Sequence, residues 1–392
     1  MIPVAEIRAL QAEWQLRDDV IEKDYALGWL LAGIAEDAEL KGRWVFKGGT
    51  ALRKCYYETY RFSEDLDFSI TSDGEDEPDK LVPIFERVSA WLMEQCGLEL
   101  TVDAGSFRRR KNRRGNPTTE GKLAYRGPRK PPNAPKVKLD LTHDEVFAAA
   151  PVLRPISHPY SDAPAPPIHV ACYSIEELMA EKLRALAERC RPRDLYDVVN
   201  LHRHPDLAGR SRAVAGLLKK KCEHAGIQVP TIDAIRSSPF AGEVETEWSN
   251  MLAHQLPHLP AFSAFWSELD NIFDWLTAKV PVAILPRLEQ QPDDDPQWSA
   301  PRAMTSWRTS FPLELVRFAG ANRLKVELDY LAKQGRSGPR VVEPYSLRRK
   351  KNGALLLYVV NDRQQLRSYD VRRIVGARVT NESYVPRFYV EF

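Results

Sequence analysis

The stretch FKGGTALRKCYYETYRFSEDLDFSI, residues 46–70, places a glycine pair beside a threonine and ends in two alternating aspartates, Asp65 and Asp67. Its apolar ends predict two short strands, over 44–46 and 66–70, that flank a helix. Because successive side chains of a strand point to opposite faces, the two aspartates share one face. Carboxylates held this close repel each other unless a cation lies between them, and oxygen ligands of this kind suit Mg²⁺ (or Mn²⁺) shared with substrate phosphates. The stretch therefore predicts a metal site for phosphate chemistry.

The glycine pair and a later strand extend this site. Gly48 and Gly49 allow a tight turn, after which backbone N–H groups and Thr50 face a triphosphate at the start of the next helix. The run KVKLDL, residues 136–141, alternates charged and apolar residues and predicts a strand with Asp140 on its polar face. A phosphate cradle beside a carboxylate clamp supplies the parts for nucleotidyl transfer. The order strand, GG-T, helix and S-x-D-x-D strand is far more specific than either short motif alone.

A predicted helix over 174–190 adds two positive charges. Lys182 and Arg189 are seven residues apart, hence on one face, where they either face a triphosphate or belong to a solvated surface. A second helix begins near Asp194, whose carboxylate either serves the site or complements the helix dipole. Asp197 is expected to face its own surface.

Composition excludes several classes of protein. The 392 residues are 43% hydrophobic and 28% charged, which is ordinary for a globular chain of two or three domains. No apolar run near the start is long enough to span a bilayer, and the first residues lack the features of a secretory signal. The five cysteines are scattered without CxxC spacing, which disfavours a disulfide framework and a zinc site. We expect a cytoplasmic protein that does not bind membranes.

Positive charge concentrates between residues 106 and 138, which hold twelve Lys or Arg residues and one acid, Glu120. Gly and Pro are frequent there, so the segment is expected to be an extended or mobile basic arm rather than a helix. Such a one-sided stretch favours contact with phosphates of a nucleic acid, the alternative being a solvated surface loop. The candidate nucleic-acid contacts are Arg108, Arg109, Arg110, Lys111, Arg113 and Arg114.

The pattern of predicted elements indicates an α+β chain. We expect a transferase core with a mixed sheet over 1–205, a helical continuation over 206–285, a proline-rich acidic linker over 286–302 and a small β-rich domain over 303–392.

The motifs KGGTALRK, RFSEDLDF and, further on, EKL and RDLYD together resemble the AbiEii-type toxin family of the nucleotidyltransferase superfamily, over residues 5–280. Members act as toxins in toxin–antitoxin and abortive-infection systems for phage defence. The resemblance implies nucleotide binding by Gly48, Gly49 and Thr50, a metal and phosphate site at Ser63, Asp65 and Asp67, and roles in activity for Lys182 and Asp194. Asp140 matches the family's third carboxylate less closely. The resemblance also implies an NTP substrate, an RNA acceptor such as a tRNA end, and an antitoxin partner.

The last 90 residues resemble a WYL domain, a small β-rich fold. The resemblance rests on LKVELDY at 324–330, RVVEPY at 340–345, LLLYVV at 355–360 and the arginines of 367–374, although only the tyrosine of the Trp-Tyr-Leu triplet is kept. WYL domains are ligand sensors thought to bind nucleotides or single-stranded nucleic acid. The implied contacts are Arg340, Tyr358, Arg367 and Arg373, with arginines for phosphate and a tyrosine for base stacking. The alternative is a core tyrosine with solvated arginines.

These patterns and the two resemblances favour a metal-dependent nucleotidyltransferase toxin that moves a nucleotide from an NTP to an acceptor. A ligand-sensing WYL-like domain is expected to regulate it. The alternatives are a non-catalytic nucleic-acid-binding defence regulator and a phosphotransferase of the same fold. The completeness of the predicted site favours the enzyme.

Overall fold

The structure is a computed structural model that describes residues 1–57, 60–112, 115–278, 285–301, 307–332 and 335–392. Its first half contains helices α1 (Val4–Trp14), α2 (Asp18–Glu36), the single turn α3 (Gly48–Ala51) and α4 (Pro78–Cys96). The turn α3 continues into a π-helical turn, Leu52–Tyr56. The strands are β1 (Trp44–Lys47), β2 (Asp65–Ile70), β3 (Glu99–Thr101), β4 (Phe107–Lys111), β5 (Pro117–Arg126), β6 (Lys136–Thr142), β7 (Val152–Pro155) and β8 (His169–Cys172).

These eight strands form one mixed sheet. Their order is β3-β5-β6-β2-β1-β8-β7, with β4 also paired to β5 at the outer edge. Strand β2 runs parallel to β6, and β1 runs parallel to β8, while the remaining neighbours are antiparallel. The fold class predicted from the sequence is confirmed.

Each strand separates an apolar face from a polar one. In β2, Leu66 and Phe68 pack into a core formed with α1, α2 and α4. The alternating positions of β2 and β6 carry the charged side chains to the other face. Helices therefore cover one side of the sheet fully and leave part of the other side open.

A helical layer covers the β1 side of that second face. It consists of α5 (Ile175–Arg189), α6 (Pro192–His202), α7 (Ser211–Ala225), α8 (Ile232–Arg236), α9 (Ala241–Leu252), α10 (Phe262–Trp266) and α11 (Glu268–Leu276). The backbone N–H of Glu177 donates to the Ser174 hydroxyl, which caps the start of α5, and Pro192 is the first residue of α6. Val45 of β1 joins the core of this layer.

The C-terminal part is a five-stranded antiparallel sheet with one helix. It contains α12 (Leu313–Ala321), β9 (Leu324–Ala332), β10 (Gly335–Arg349), β11 (Leu355–Asn361), β12 (Leu366–Asp370) and β13 (Ile374–Ser383), in the strand order β12-β11-β10-β9-β13. Helix α12 packs with Leu357 and Val359 on one face of the sheet. Tyr358 lies on the opposite face.

The expected linker docks on that opposite face. Leu288 is buried beside Tyr358, the Arg348 guanidinium donates to the carbonyl oxygens of Leu288 and Glu289 at 2.7 and 2.6 Å, and Asp294 lies 2.8 Å from the Lys350 ammonium. Residues 286–301 therefore belong structurally to the C-terminal sheet. The domain boundaries themselves stay a prediction.

The two parts of the chain also contact each other. Tyr196 of α6 donates a hydrogen bond to Asn322 at 2.9 Å, and the backbone N–H of Glu314 donates to Glu13 at 3.0 Å. Phe318 of α12 lies in the core of the α5–α11 layer. Within the described part of the chain, no helix is long and apolar enough to cross a membrane.

Candidate functional site

Three aspartates meet on the polar face of the sheet. Asp67 lies opposite Asp140 in the parallel pair β2–β6, and Asp65 lies two residues before Asp67 on the same face. Burial, followed by repulsion from Asp140 and Asp65, raises the pKa of Asp67 to about 6. Burial also raises the pKa of Asp65, although the nearby charge of Lys138 opposes the shift. The predicted juxtaposition is thus present, and it favours a bound cation that would relieve the repulsion.

Lys138 is a further member of this group that was not singled out from the sequence. It lies opposite Asp65, and its ammonium is 2.6 Å from Asp140 and 3.7 Å from Glu120. The K-x-D spacing on an alternating strand was the available signal, because it puts both side chains on one face.

The donor set fits a shared divalent ion. No three His, Cys, Asp or Glu side chains among the residues that the structure describes are grouped so as to hold a metal ion by themselves. Asp65 and Asp67 supply a carboxylate pair, and Mg²⁺ commonly binds to one or two carboxylates while phosphates and water complete its octahedron. The residues therefore suit an ion that enters with a nucleotide.

The glycine turn is pressed against these carboxylates. Gly48 has a φ of +78°, and a Cβ added there would lie 2.1 Å from Oδ2 of Asp67. A Cβ at Gly49 would lie 2.4 Å from the Arg61 guanidinium and 3.3 Å from the Ser63 hydroxyl. Both positions thus require glycine for close approach, and Ser63 lies beside the turn as expected.

Thr50 departs from the expectation. Its hydroxyl donates to the backbone carbonyl of Asp65 at 2.5 Å, and the residue is buried. The side chain ties the turn to β2 and does not face a triphosphate, which corrects its predicted role.

A buried ion network lies behind the site. The Lys182 ammonium is 2.7 Å from Asp197 and 3.6 Å from Asp194. Arg189 donates two hydrogen bonds to Asp194 at 2.6 and 2.8 Å, and Arg61 donates two to Asp197 at 2.7 and 2.8 Å. Although burial alone would raise it, the charges of Arg61 and Lys182 hold the pKa of Asp197 well below its usual range. Asp197 is fully buried, so the expectation that it faces the surface is wrong.

Lys182 is therefore buried and paired, whereas Arg189 is paired with Asp194 but remains exposed. The charge of Lys182 lowers the pKa of Asp67, which puts its ammonium within electrostatic reach of the carboxylates. Lys47, opposite Asp67 on β1, acts in the same way and pairs with Glu145. Lys47 was missed because a lone lysine before a glycine pair has no distinctive sequence signal.

The first part of the basic stretch, Phe107–Lys111, is the edge strand β4. Phe107 packs on Phe85, and the four residues after it are extended with exposed side chains, so this part is a strand, as the expectation of an extended segment had it, and not a loop. Its residues alternate between two environments. Arg109 donates to Asp76 at 2.7 and 3.1 Å on the face of Phe107, and Lys111 is exposed. Arg113 and Arg114 lie outside the described residues.

Arg108 and Arg110 share the face of the aspartates. Arg108 lies opposite Glu120, Glu120 opposite Asp140, and Asp140 opposite Asp67, so these four form one row across β4, β5, β6 and β2. Lys122, exposed on β5, lies opposite Lys138 on the same face. Four cations, Arg108, Arg110, Lys122 and Lys138, thus lie on the face between the sheet edge and the carboxylates, with Glu120 among them.

The C-terminal candidates divide between two faces. Arg340 and Arg373 lie over the Tyr330 ring at 5.6 and 5.3 Å, and Arg340 donates to the Tyr369 hydroxyl at 3.1 Å. Arg367 is exposed and, two residues before Tyr369 on β12, shares that face.

Tyr358 is separated from these arginines. It is buried on the other face, under Arg348 at 5.2 Å. The expectation that it joins the arginines in one ligand site is wrong, and its alternative role as a core residue holds. Tyr330 and Tyr369 are the aromatic residues beside the arginines.

Comparisons with known proteins agree with this architecture. Residues 29–275 match the family described as nucleotidyl transferase AbiEii toxin, type IV TA system, and residues 312–379 match the WYL domain. Among solved structures, MenT4, a nucleotidyltransferase toxin from Mycobacterium tuberculosis H37Rv, has 19% identity and a TM-score of 0.47 over 71% of this chain and 90% of its own. Proteasome accessory factor B/C of Arthrobacter aurescens has 14% identity and a TM-score of 0.19 over 54% of this chain and 32% of its own. No curated protein sequence matches.

Proposed function

Because this chain belongs to the AbiEii family of nucleotidyltransferase toxins and carries a WYL domain, we propose that it transfers a nucleotide from an NTP to RNA in a metal-dependent reaction. The observation that carries the proposal is the aspartate group against the glycine turn, with the pKa of Asp67 raised to about 6. Carboxylates that are held close enough to repel one another are typical of a site that a cation and a polyphosphate complete.

In the proposed reaction an acceptor hydroxyl attacks the α-phosphate of the NTP. The bond from the acceptor oxygen to the α-phosphorus forms, and the bond from the α-phosphorus to the oxygen shared with the β-phosphate breaks. Pyrophosphate leaves with that oxygen, and the hydroxyl proton is released to water. Asp65 and Asp67 would hold the ion, which when bound neutralises phosphate charge. Lys182 and Lys47 place positive charge near Asp67 and favour its ionised form. Gly48 and Gly49 let the backbone of the turn approach Asp67 and Arg61 closely, which places the turn beside the carboxylates where the triphosphate would bind.

The acceptor is proposed to be RNA, such as a tRNA end. Its support is three exposed cations on the face of the aspartates, Arg108, Arg110 and Lys122, of which Arg110 and Lys122 lie 3.9 and 3.0 Å from Glu120. A backbone that follows these cations gains from the release of its counterions.

The test follows label from the nucleotide. Purified protein is incubated with each NTP, labelled in separate reactions at the α- or the γ-phosphate, together with total RNA and Mg²⁺, beside the Asp65→Ala variant. The proposal expects label in RNA with wild type and a loss of at least about 10²-fold in the variant. Equal transfer by Asp65→Ala, or label passed from the γ-position instead, would refute it, the second result in favour of a phosphotransferase.

We further propose that the WYL domain senses a phosphate-bearing ligand and controls transfer. Arg340, Arg373 and exposed Arg367 beside two tyrosines suit a nucleotide or single-stranded nucleic acid. Support for control of the transferase is a contact between the two parts of the chain. The Tyr196 hydroxyl donates a hydrogen bond to Asn322, and Tyr196 lies on α6 between Asp194 and Asp197. If the proposal holds, Arg373→Gln abolishes the response of the transfer rate to added oligonucleotide without changing the basal rate. An unchanged response would contradict it.

As in other toxin–antitoxin systems, a neutralising partner is proposed, and co-expression with the neighbouring reading frame would test it by rescue of growth.

A further inference from the structure

Glu64, the residue before Asp65, lies among basic side chains from three separate parts of the chain. The Lys23 ammonium from α2 is 3.8 Å from its carboxylate, and the His254 imidazole, from the turn Ala253–Gln255, is 3.1 Å away. Arg193 of α6 is close enough to both Glu64 and Asp65 to interact electrostatically with them. The convergence places two permanent cations and a histidine around one carboxylate.

Arg193 differs from the other arginines near the site. Arg61 and Arg189 are each held by a pair of hydrogen bonds to one buried aspartate. Arg193 donates only to the carbonyl of Met251 at 3.4 Å, and no carboxylate in the described ranges lies within ion-pair distance of it. A half-buried guanidinium with so few partners leaves donors unused, which favours an anionic ligand.

The balance of charge around Glu64 favours the binding of an anion. Lys182, Arg61 and Arg189 are three cations whose donors are engaged by the two buried aspartates Asp194 and Asp197. Around Glu64 the excess of basic groups over carboxylates is larger, since one partly exposed carboxylate faces Lys23, Arg193 and His254. Both Lys23 and His254 remain partly exposed and accessible to a ligand.

We propose that Arg193 and Lys23, with His254, form a phosphate-binding site beside Asp65, which Glu64 fills in part when no substrate is bound. The inference rests on the proposed function and specifies where a substrate phosphate lies. That phosphate belongs either to the NTP triphosphate or to the acceptor backbone. The two phosphates have the same chemistry, because in each of them negatively charged phosphate oxygens accept hydrogen bonds from the N–H groups of a guanidinium.

Two substitutions with opposite expected effects on phosphate binding test the site. Arg193→Gln removes the fork and is expected to weaken the binding of inorganic tripolyphosphate by about tenfold or more, since charge-assisted hydrogen bonds are lost. Glu64→Gln removes the competing carboxylate and is expected to strengthen that binding. Arg87→Gln serves as the charge-matched control, because Arg87 is an exposed residue of α4 on the far side of the sheet.

The full-length protein is used for calorimetric binding of tripolyphosphate and for steady-state kinetics with NTP and RNA. A higher KM for NTP alone assigns the triphosphate to the site, and a higher KM for RNA alone assigns the acceptor. Binding by Arg193→Gln and Glu64→Gln that equals the Arg87→Gln control, with both KM values unchanged, overturns the inference. Should wild type bind tripolyphosphate through Arg193 yet transfer no nucleotide, the site stands and the proposed reaction fails. Circular dichroism confirms folding, and Glu64→Gln, at a more exposed position, keeps the test valid if Arg193→Gln does not fold.

Discussion

Replacing Gly48 by alanine tests how closely the turn must approach the carboxylates. The added Cβ would lie 2.1 Å from Oδ2, 2.9 Å from Cγ and 3.0 Å from Cβ of Asp67. Rotating the carboxylate alone cannot relieve contacts at all three atoms, so Asp67 must move by about 1 Å or more, a displacement that costs about 10²-fold in rate in a preorganised site. The positive φ of +78° adds a further cost in stability of about 1–2 kcal/mol.

Gly42 provides the matched control. Its φ is +74°, and a Cβ there would meet nothing within 4 Å. Gly42→Ala therefore has the same backbone strain without the collision, and both variants should melt a few degrees below wild type. Only Gly48→Ala should lose transfer, measured as label incorporated into RNA under saturating NTP. Equal transfer by the two alanine variants would refute the collision with Asp67.

Three further predictions concern charge. Because the pKa of Asp67 is raised to about 6, the rate of transfer should rise as the pH increases through about 6 and Asp67 ionises, and a flat pH–rate profile would contradict this. For the same reason Asp67→Asn should raise the Tm of the metal-free protein at pH 7.5, where the wild-type carboxylates repel each other. Asp197→Asn leaves buried Arg61 without its charge partner and leaves Lys182 with Asp194 alone, at 3.6 Å. It should lower the free energy of unfolding by about 3–5 kcal/mol in urea titrations, against about 0–1 kcal/mol for Asp270→Asn at the surface pair with Arg236. The double variant Arg108→Gln/Arg110→Gln should weaken RNA binding and reduce the slope of log K against log salt by about 2, with KM for NTP unchanged, whereas an unaltered slope would remove these residues from the RNA interface.

Much of the site could be predicted from local sequence because it depends on strand alternation. Asp65 and Asp67 are two apart on one strand, and KVKLDL alternates visibly, so their common face follows from the period of two. The alternation of KVKLDL also predicted Asp140 on a strand near this site, but the parallel pairing of β2 with β6, with Asp67 opposite Asp140, joins distant parts of the chain and is not specified by local periodicity.

The errors have physical causes in distant contacts. Asp197 is buried because Arg61, 136 positions earlier, neutralises it. The basic run is a strand because Phe107 finds an apolar partner in Phe85, which charge counting cannot anticipate. Tyr358 is buried because residues from the expected linker cover its face, although their composition is polar and proline-rich.

The docking of residues 286–301 also determines where the chain can be cut. A transferase fragment ending near residue 302 would keep Leu288 and Asp294 after removing their partners Tyr358 and Lys350. A fragment that ends just before Pro286 would not contain these unpartnered residues, but it would still lack Phe318, which packs in the core of the helical layer. Point substitutions at the junction, such as Asn322→Ala against Tyr196, therefore test the contact between the two parts more cleanly than truncation does. Because Phe318 of the C-terminal part completes the core of the α5–α11 layer, removing either part of the chain would expose apolar surface of the other.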